Sequence, residues 1–235
     1  MNFEEFQKNI LIVMTTFNRK AVTEICLKNI HDHKGFATLW VFDDHSTEYN
    51  LNNLKLIAPS AHFFRPESKM GIEKMRLHIQ SLAHHTNYKF IYHIDNDCYH
   101  DPEWAKQLYK IYQHHDGLIG LYNTLHHFHR TIENKGEYIL RKACPGISFF
   151  YEQAKLKEIP NKLYNSWDFV FGDMLGTAAI SNVSYVEHFG ANGIHNSNYE
   201  SDRAANPTPW LMQERERILN ILEPNKKNYI VLNIH

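Results

Sequence analysis

The chain has 235 residues, 43% hydrophobic and 22% charged, a balance without low-complexity signal that suits one α/β domain around one core. Its 25 basic and 26 acidic side chains nearly cancel, so no global field marks nucleic acid or an anionic membrane as the main partner. Three widely spaced cysteines, Cys26, Cys98 and Cys144, fit neither a disulfide framework nor a zinc ribbon and point to a reducing, cytoplasmic setting. The acidic start MNFEEFQKN lacks the plan of a signal peptide, and no apolar run approaches the ~20 residues that span a bilayer. Membrane contact is therefore expected only at the periphery, and most of the 17 histidines are expected at helix ends or in loops.

In the first half, short β-rich runs alternate with helical patterns: Ile10–Met14, Thr38–Phe42, Ala61–Phe64 and Lys89–Ile94. That alternation predicts a mostly parallel sheet with crossover helices. Val22, Ile25, Cys26 and Ile30 recur at helical spacing, as do Met75, Ile79, Leu82 and Ala83, and both sets mark core faces. Two aspartates, Asp95 and Asp97, close the fourth run. Asp101-Pro102-Glu103 then reads as an N-cap, a first-turn proline and an acidic first turn for a helix carrying Trp104, Leu108, Ile111 and Tyr112. The aspartates thus lie at the carboxyl edge of the sheet, where open α/β sheets bind ligands.

The second half is less regular. Gly117–Tyr122, Glu137–Lys142 and Gly146–Tyr151 predict strands, while Trp167, Val170, Phe171, Met174, Leu175 and Ala178 mark one helix face. Gly190–Pro209, rich in Asn, Ser, Gly and Pro, predicts a long loop, and Thr208-Pro209 starts a final helix.

Side chains alternate along an extended chain, so Asp95 and Asp97 should face the same way. Two hard oxygen ligands on one side suit Mg²⁺ or Mn²⁺, which keep waters and bridge to phosphates; a solvated, capped turn is the plainer alternative. A calcium loop fits poorly, because His100 would hold its glycine position and Lys106 its twelfth. Three more segments leave polar groups at the same edge: Met14–Arg19 (MTTFNR), Phe42–Thr47 (FDDHST) and Ser68–Arg76 (SKMGIEKMR). Each alone reads equally well as a cap, an Asx turn or a turn glycine.

Together, in order and spacing over roughly the first 105 residues, these segments resemble family 2 glycosyltransferases of the GT-A fold. That family carries T-x-[YF]-N-R, D-D-x-S-T, G-x-x-x-A-R-N and D-x-D segments. Thr15, Phe17, Asn18 and Arg19 match the first; Asp43, Asp44, Ser46 and Thr47 the second; Gly71 and Arg76 the third; Asp95 and Asp97 the fourth. His45 stands where the family has a glycine, and Met75 and Leu77 flank Arg76 in place of alanine and asparagine.

The resemblance implies a GT-A domain over residues 1–235, a Rossmann-like sheet flanked by helices with a smaller acceptor-side β element. Residues 1–104 would bind the donor, and 105–235 would form the acceptor half with a flexible loop about 190–208. The implied donor is a UDP- or GDP-linked sugar, with Thr15, Asn18, Arg19 and Asp44 around base and ribose, Arg76 nearby, and Asp95 and Asp97 on ribose and on Mn²⁺ or Mg²⁺. Phe17, Asp43, Ser46, Gly71 and Asn96 complete the donor-binding set.

Direct displacement also needs a base, which the family supplies from a Glu-Asp pair before a helix. Here Asp168 follows Trp167 in that place, with Asp173 as the second candidate, although a first-turn carboxylate equally complements a helix dipole. His195 and His188 are candidates to complete the metal shell, and Trp167, Tyr199 and Trp210 could form a sugar platform or simply pack. The implied activity is metal-dependent, inverting transfer to a hydroxyl of a glycan or glycolipid acceptor, as in bacterial lipooligosaccharide or capsule synthesis. A transferase acting on DNA bases or protein, a noncatalytic nucleotide-sugar or glycan-binding module and a DxD-type phosphatase are the alternatives.

Overall fold

The computed structural model describes residues 1–158, 174–192 and 204–230. A short helix α1 (Phe3–Lys8) leads into β1 (Ile10–Thr16), whose seven residues are all buried, as an aliphatic strand covered on both faces should be. Helix α2 (Lys20–His33), β2 (Thr38–Asp43), α3 (Leu51–Ile57), β3 (His62–Phe64), α4 (Ile72–His84) and β4 (Phe90–Asp95) follow. β1 runs parallel to both β2 and β4, with Thr16 opposite Asp43 and Thr15 opposite Asp95. That register brings the motif-bearing strand ends to one edge.

Alternation along β1 divides the core. Ile10, Ile12 and Met14 join the cluster that holds Phe6 of α1 and Cys26 and Ile30 of α2, whereas Leu11 and Val13 pack with Met75, Ile79 and Ala83 of α4.

After β4 come β5 (Cys98–His100), α5 (Trp104–Tyr112), β6 (Leu118–Gly120), β7 (Thr131–Asn134), β8 (Tyr138–Arg141) and β9 (Ser148–Glu152). β10 (Ala178–Ser181), β11 (Val186–His188) and α6 (Pro209–Ile230) complete the described elements. Nine of these strands form one sheet in the order β3-β2-β1-β4-β9-β6-β10-β8-β7, and β5 pairs with β11 in a second, small sheet. The expected parallel pairing holds from β3 to β4 and between β6 and β10, but β9 runs antiparallel to both β4 and β6. β7 and β8 form an antiparallel hairpin across Gly136 at φ +86°, a link too short for any parallel crossover.

Local chemistry explains where elements depart from the sequence reading. The helix expected from Asp101 starts at Trp104, because Asp101 Oδ1 accepts from the Glu103 amide (2.8 Å) in an Asx turn and Oδ2 accepts from Thr208 Oγ1 (2.6 Å). Ala178, expected on a helix face, lies in β10, since Gly176 at φ +83° ends the helical turn at Met174 and Leu175. Trp167, Val170 and Phe171 lie outside the described residues. The far end of the expected loop is pinned: Ala204 bridges to Thr124 and Pro207 to Ser184. Thr208 Oγ1 then accepts from the Leu211 amide (3.2 Å) and caps α6 as expected.

His100 of β5 is fully buried, with Nε2 2.9 Å from the Tyr92 hydroxyl and its ring edge-on to Trp104. Burial pushes its pKa from 6.5 down to about 3. Between those values the unfolded chain binds a proton that the folded chain does not, so stability falls as pH drops through the window, by up to about 1.4 kcal/mol per pH unit. His100→Gln should remove about that slope from the urea-unfolding free energy measured between pH ~6.5 and ~4. An unchanged slope would assign the acid sensitivity to another group.

Candidate active site

The turn after β1 is held in a conformation that its side chains do not favour. Asn18 and Arg19 have φ of +51° and +59°, the left-handed region that Asn tolerates and Arg rarely visits. Hydrogen bonds to the β2 loop hold it there: the Asn18 amide donates to Ser46 Oγ (2.7 Å), and Asn18 Oδ1 accepts from the Thr47 amide (2.8 Å). His45 adopts φ +65°, so the position where the family has glycine keeps a glycine-like backbone here.

Asp43 is wholly buried and organises this loop. It accepts from Thr16 Oγ1 (3.1 Å), the Ser46 amide (3.2 Å) and Ser46 Oγ, and pairs with Arg65 Nε at 3.0 Å. Asp44 accepts from the Met70 and Gly71 amides (2.6 and 2.9 Å), tying the end of β2 to the start of α4. Gly71 has φ +80° with open space beside it, so backbone conformation and not crowding calls for glycine there. Phe17 is 37% exposed, with Lys69 Nζ 3.6 Å from its ring centroid. One turn into α4, Arg76 donates to the Gly146 carbonyl (3.0 Å) and lies 3.7 Å from Asp95 Oδ1, with its guanidinium above Phe149.

Asp95 Oδ1 accepts from Thr15 Oγ1 (3.1 Å), and the side chain is 27% exposed. Burial raises its pKa above the usual carboxylate value, with Arg76 opposing and the charge of Asp97 adding to the rise. Asn96 is nearly buried and donates to Thr23 Oγ1 (2.6 Å), bracing the turn against α2. Asp97 meets Arg19 Nη1 at 2.5 Å and His188 Nε2 at 3.3 Å, both through Oδ2. Burial would push its pKa up, but His188 and Arg19 outweigh that and hold it well below the usual carboxylate range.

The two aspartates do not face the same way by strand alternation. β4 ends at Asp95, and Asn96-Asp97 is a turn, so Asp95 faces Thr15 and Arg76 while Asp97 faces Arg19 and His188. His188, expected as a metal ligand, turns Nε2 toward Asp97. Asp168, Asp173, His195, Trp167 and Tyr199 lie outside the described residues. Trp210 stacks flat on Tyr99 of β5 (5.5 Å, 9°), which is packing between α6 and the small sheet.

Among the described residues, no three His, Cys, Asp or Glu side chains form a group able to hold a metal ion. A hydrated Mg²⁺ or Mn²⁺ bridged to substrate phosphates needs only one or two carboxylates from the protein. Asp97 Oδ1 fits that requirement, because it is buried and makes no hydrogen bond. Asp95, partly open to the same edge, is the second.

Sequence reasoning missed Gly190. A methyl group there would overlap both His188 Nε2 and Asp97 Oδ2, so the backbone after β11 approaches the carboxylate as only glycine can. The Phe189 amide also donates to the Asp97 carbonyl (2.9 Å). A glycine two residues past a histidine is a weak sequence signal, and nothing local connects it to residue 97. Gly190→Ala should cost about 1–3 kcal/mol through overpacking, read as a lower urea midpoint at unchanged slope. Wild-type stability would show that the close approach is not kept in solution.

The fold and this edge define an α/β architecture with its polar loops gathered at the carboxyl end of a parallel sheet, and the comparisons place it more narrowly. Residues 11–177 match the family described as Glycosyl transferase family 2, and the chain belongs to that family of glycosyltransferases. Its fold is GT-A, as in several solved structures. TarS of S. aureus is 18% identical with a TM-score of 0.57, over 75% of this chain and 36% of that one. TarS 1–349 in complex with UDP is 18% identical with a TM-score of 0.55, over 75% and 59%. GalNAc-T7 with UDP, GalNAc and Mn²⁺ is 13% identical with a TM-score of 0.58, over 94% and 50%. This chain thus spans less than two thirds of each of these relatives, and at such identities the likeness shows the fold. Among curated proteins none matches significantly.

Proposed function

We propose that this glycosyltransferase moves a sugar from a nucleotide diphosphate donor to a hydroxyl acceptor, with inversion at the anomeric carbon and with Mn²⁺ or Mg²⁺ held by Asp97 and Asp95. The observation that carries the reading is the buried Oδ1 of Asp97, which makes no hydrogen bond, at an edge where Arg19 and Arg76 also converge. The UDP bound by TarS 1–349, and the UDP and Mn²⁺ bound by GalNAc-T7, favour a UDP-linked donor over a GDP-linked one.

Displacement at the anomeric carbon develops positive charge on the sugar ring and negative charge on the departing diphosphate. A bound divalent cation supplies a Lewis acid for that leaving group. The protein's own part is to hold charge and shape in advance. Asp43 and Asp44 lace the loops after β1, β2 and β3 together, so Thr15, Asn18 and Phe17 line the base and ribose side on a prepared surface. Arg76, braced on the Gly146 carbonyl, keeps fixed positive charge beside Asp95. Asp168 is proposed as the base for the acceptor hydroxyl, with Asp173 second and His195 as a further cation ligand.

The same proposal treats residues 1–235 as one working unit with a donor half and an acceptor half, since the nine-stranded sheet takes strands from both. No helix among the described residues is long and apolar enough to cross a membrane. The acceptor class proposed is a glycan or glycolipid of the bacterial surface. A cytoplasmic site of action with peripheral membrane contact suits that acceptor, and the three buried cysteines, none in a disulfide, agree with a reducing compartment.

Incubation with a panel of UDP- and GDP-sugars plus Mn²⁺ tests the reaction class. One donor should release sugar slowly without acceptor, and Asp97→Ala should lose most of the Mn²⁺-dependent affinity for that nucleotide in calorimetry. Equal affinity in Mn²⁺ and in EDTA for the native protein would remove the cation from the mechanism. Asp168→Asn should leave donor affinity nearly unchanged and lower turnover by the ~10²–10⁴-fold typical of a lost acid-base group. A fully active Asn variant would transfer the role to Asp173.

A further inference from the structure

We propose that Arg19 is an exchangeable counter-ion of Asp97, neutralising the carboxylate while the donor site is empty and moving to the diphosphate when a nucleotide sugar binds. The inference rests on the role of Asp97 as a cation ligand. It departs from a place for Arg19 at the base or ribose, and it begins from where the guanidinium sits. Nη1 meets Asp97 Oδ2 at 2.5 Å, while Nη2 reaches the Phe189 carbonyl only at 3.3 Å. The carboxylate is thus engaged through one oxygen, and the other is left without a hydrogen bond.

A guanidinium and a divalent cation repel when both touch one buried carboxylate, so they do not share it without strain. Arg19 is the partner able to leave. Its side chain is 29% exposed against 7% for Asp97, and it springs from the left-handed turn that opens α2. Its planar fork, split here between Asp97 and the Phe189 carbonyl, matches the two-oxygen edge of a phosphate better than a single carboxylate oxygen. The positive end of the 14-residue α2 lies at the same point; Arg19, its N-cap residue, supplies no side-chain cap, and the Lys20 amide donates to Glu48 Oε2 (2.9 Å). A diphosphate arriving there offers Arg19 a stronger partner and leaves Asp97 free to ligate the cation that accompanies it.

The exchange has a signature of two opposite shifts. Mn²⁺ alone, followed by electron paramagnetic resonance without nucleotide, should bind Arg19→Gln about tenfold or more tightly than wild type, because the competing charge is gone. UDP or GDP with Mn²⁺, followed by calorimetry, should bind the same variant about tenfold or more weakly. Arg19→Lys keeps the charge without the fork, so it should retain the weak wild-type Mn²⁺ binding and still lose nucleotide affinity. A residue that only supported the fold would weaken both ligands together. Shifts of the same sign, or no shift in Mn²⁺ binding, overturn the inference, with thermal melts confirming that the variants are folded. If Mn²⁺ still binds Arg19→Gln after Asp97→Ala is added, the ion is not on Asp97. In that case the underlying cation role fails, and the exchange fails with it.

Discussion

A carboxylate taken out of water must find cations or donors, and this molecule buries Asp43, Asp44 and Asp97 along a single sheet edge. The partners they find come from distant parts of the chain. Asp43 draws in Arg65, Asp44 draws in the backbone before α4, and Asp97 draws in Arg19 from the first loop and His188 from β11. The loops at the carboxyl edge therefore hold one another in place. Removing a partner from such a network leaves a buried charge uncompensated, which costs more than the contact itself contributes.

The parallel register makes this possible. With β1 between β2 and β4, three loops leave the sheet side by side, and crossover helices on both faces keep β1 and β2 dry up to their last residues. The small β5–β11 sheet then brings residues nearly 90 positions away onto the turn after β4, with His188 opposite Cys98 in the pairing. It delivers a histidine and a close-packed glycine to Asp97. Stacking of Trp210 on Tyr99 and the Thr208–Asp101 hydrogen bond fasten α6 to the other side of the same unit.

Strain concentrates where the chemistry is proposed. Among the described residues, the positive-φ residues other than glycine are Asn18, Arg19 and His45, all in the loops after β1 and β2. Each costs about 1–3 kcal/mol at most, and the hydrogen bonds from Asn18 to Ser46 and Thr47 over-determine the turn. A site held by contacts already in place has little to rearrange when charge develops during reaction.

The amino-acid sequence by itself determined the four leading strands, the core faces of α2 and α4 between them and the clustering of the four motifs at one edge. These depend on local periodicity and on turn chemistry, which act over a few residues. It started the helix at Asp101, ahead of Trp104; that carboxylate accepts locally from the Glu103 amide, as a cap would, and also from Thr208 across the fold. It also misjudged the relative facing of Asp95 and Asp97, because two residues of turn cancel strand alternation. Only the tertiary structure decided that Asp97 would be shared between Arg19 and His188, and that Gly190 would seal against it. Those contacts join residues 78 and more apart in the chain. A buried charge takes its partner from whatever the fold brings near, and no local pattern encodes that choice.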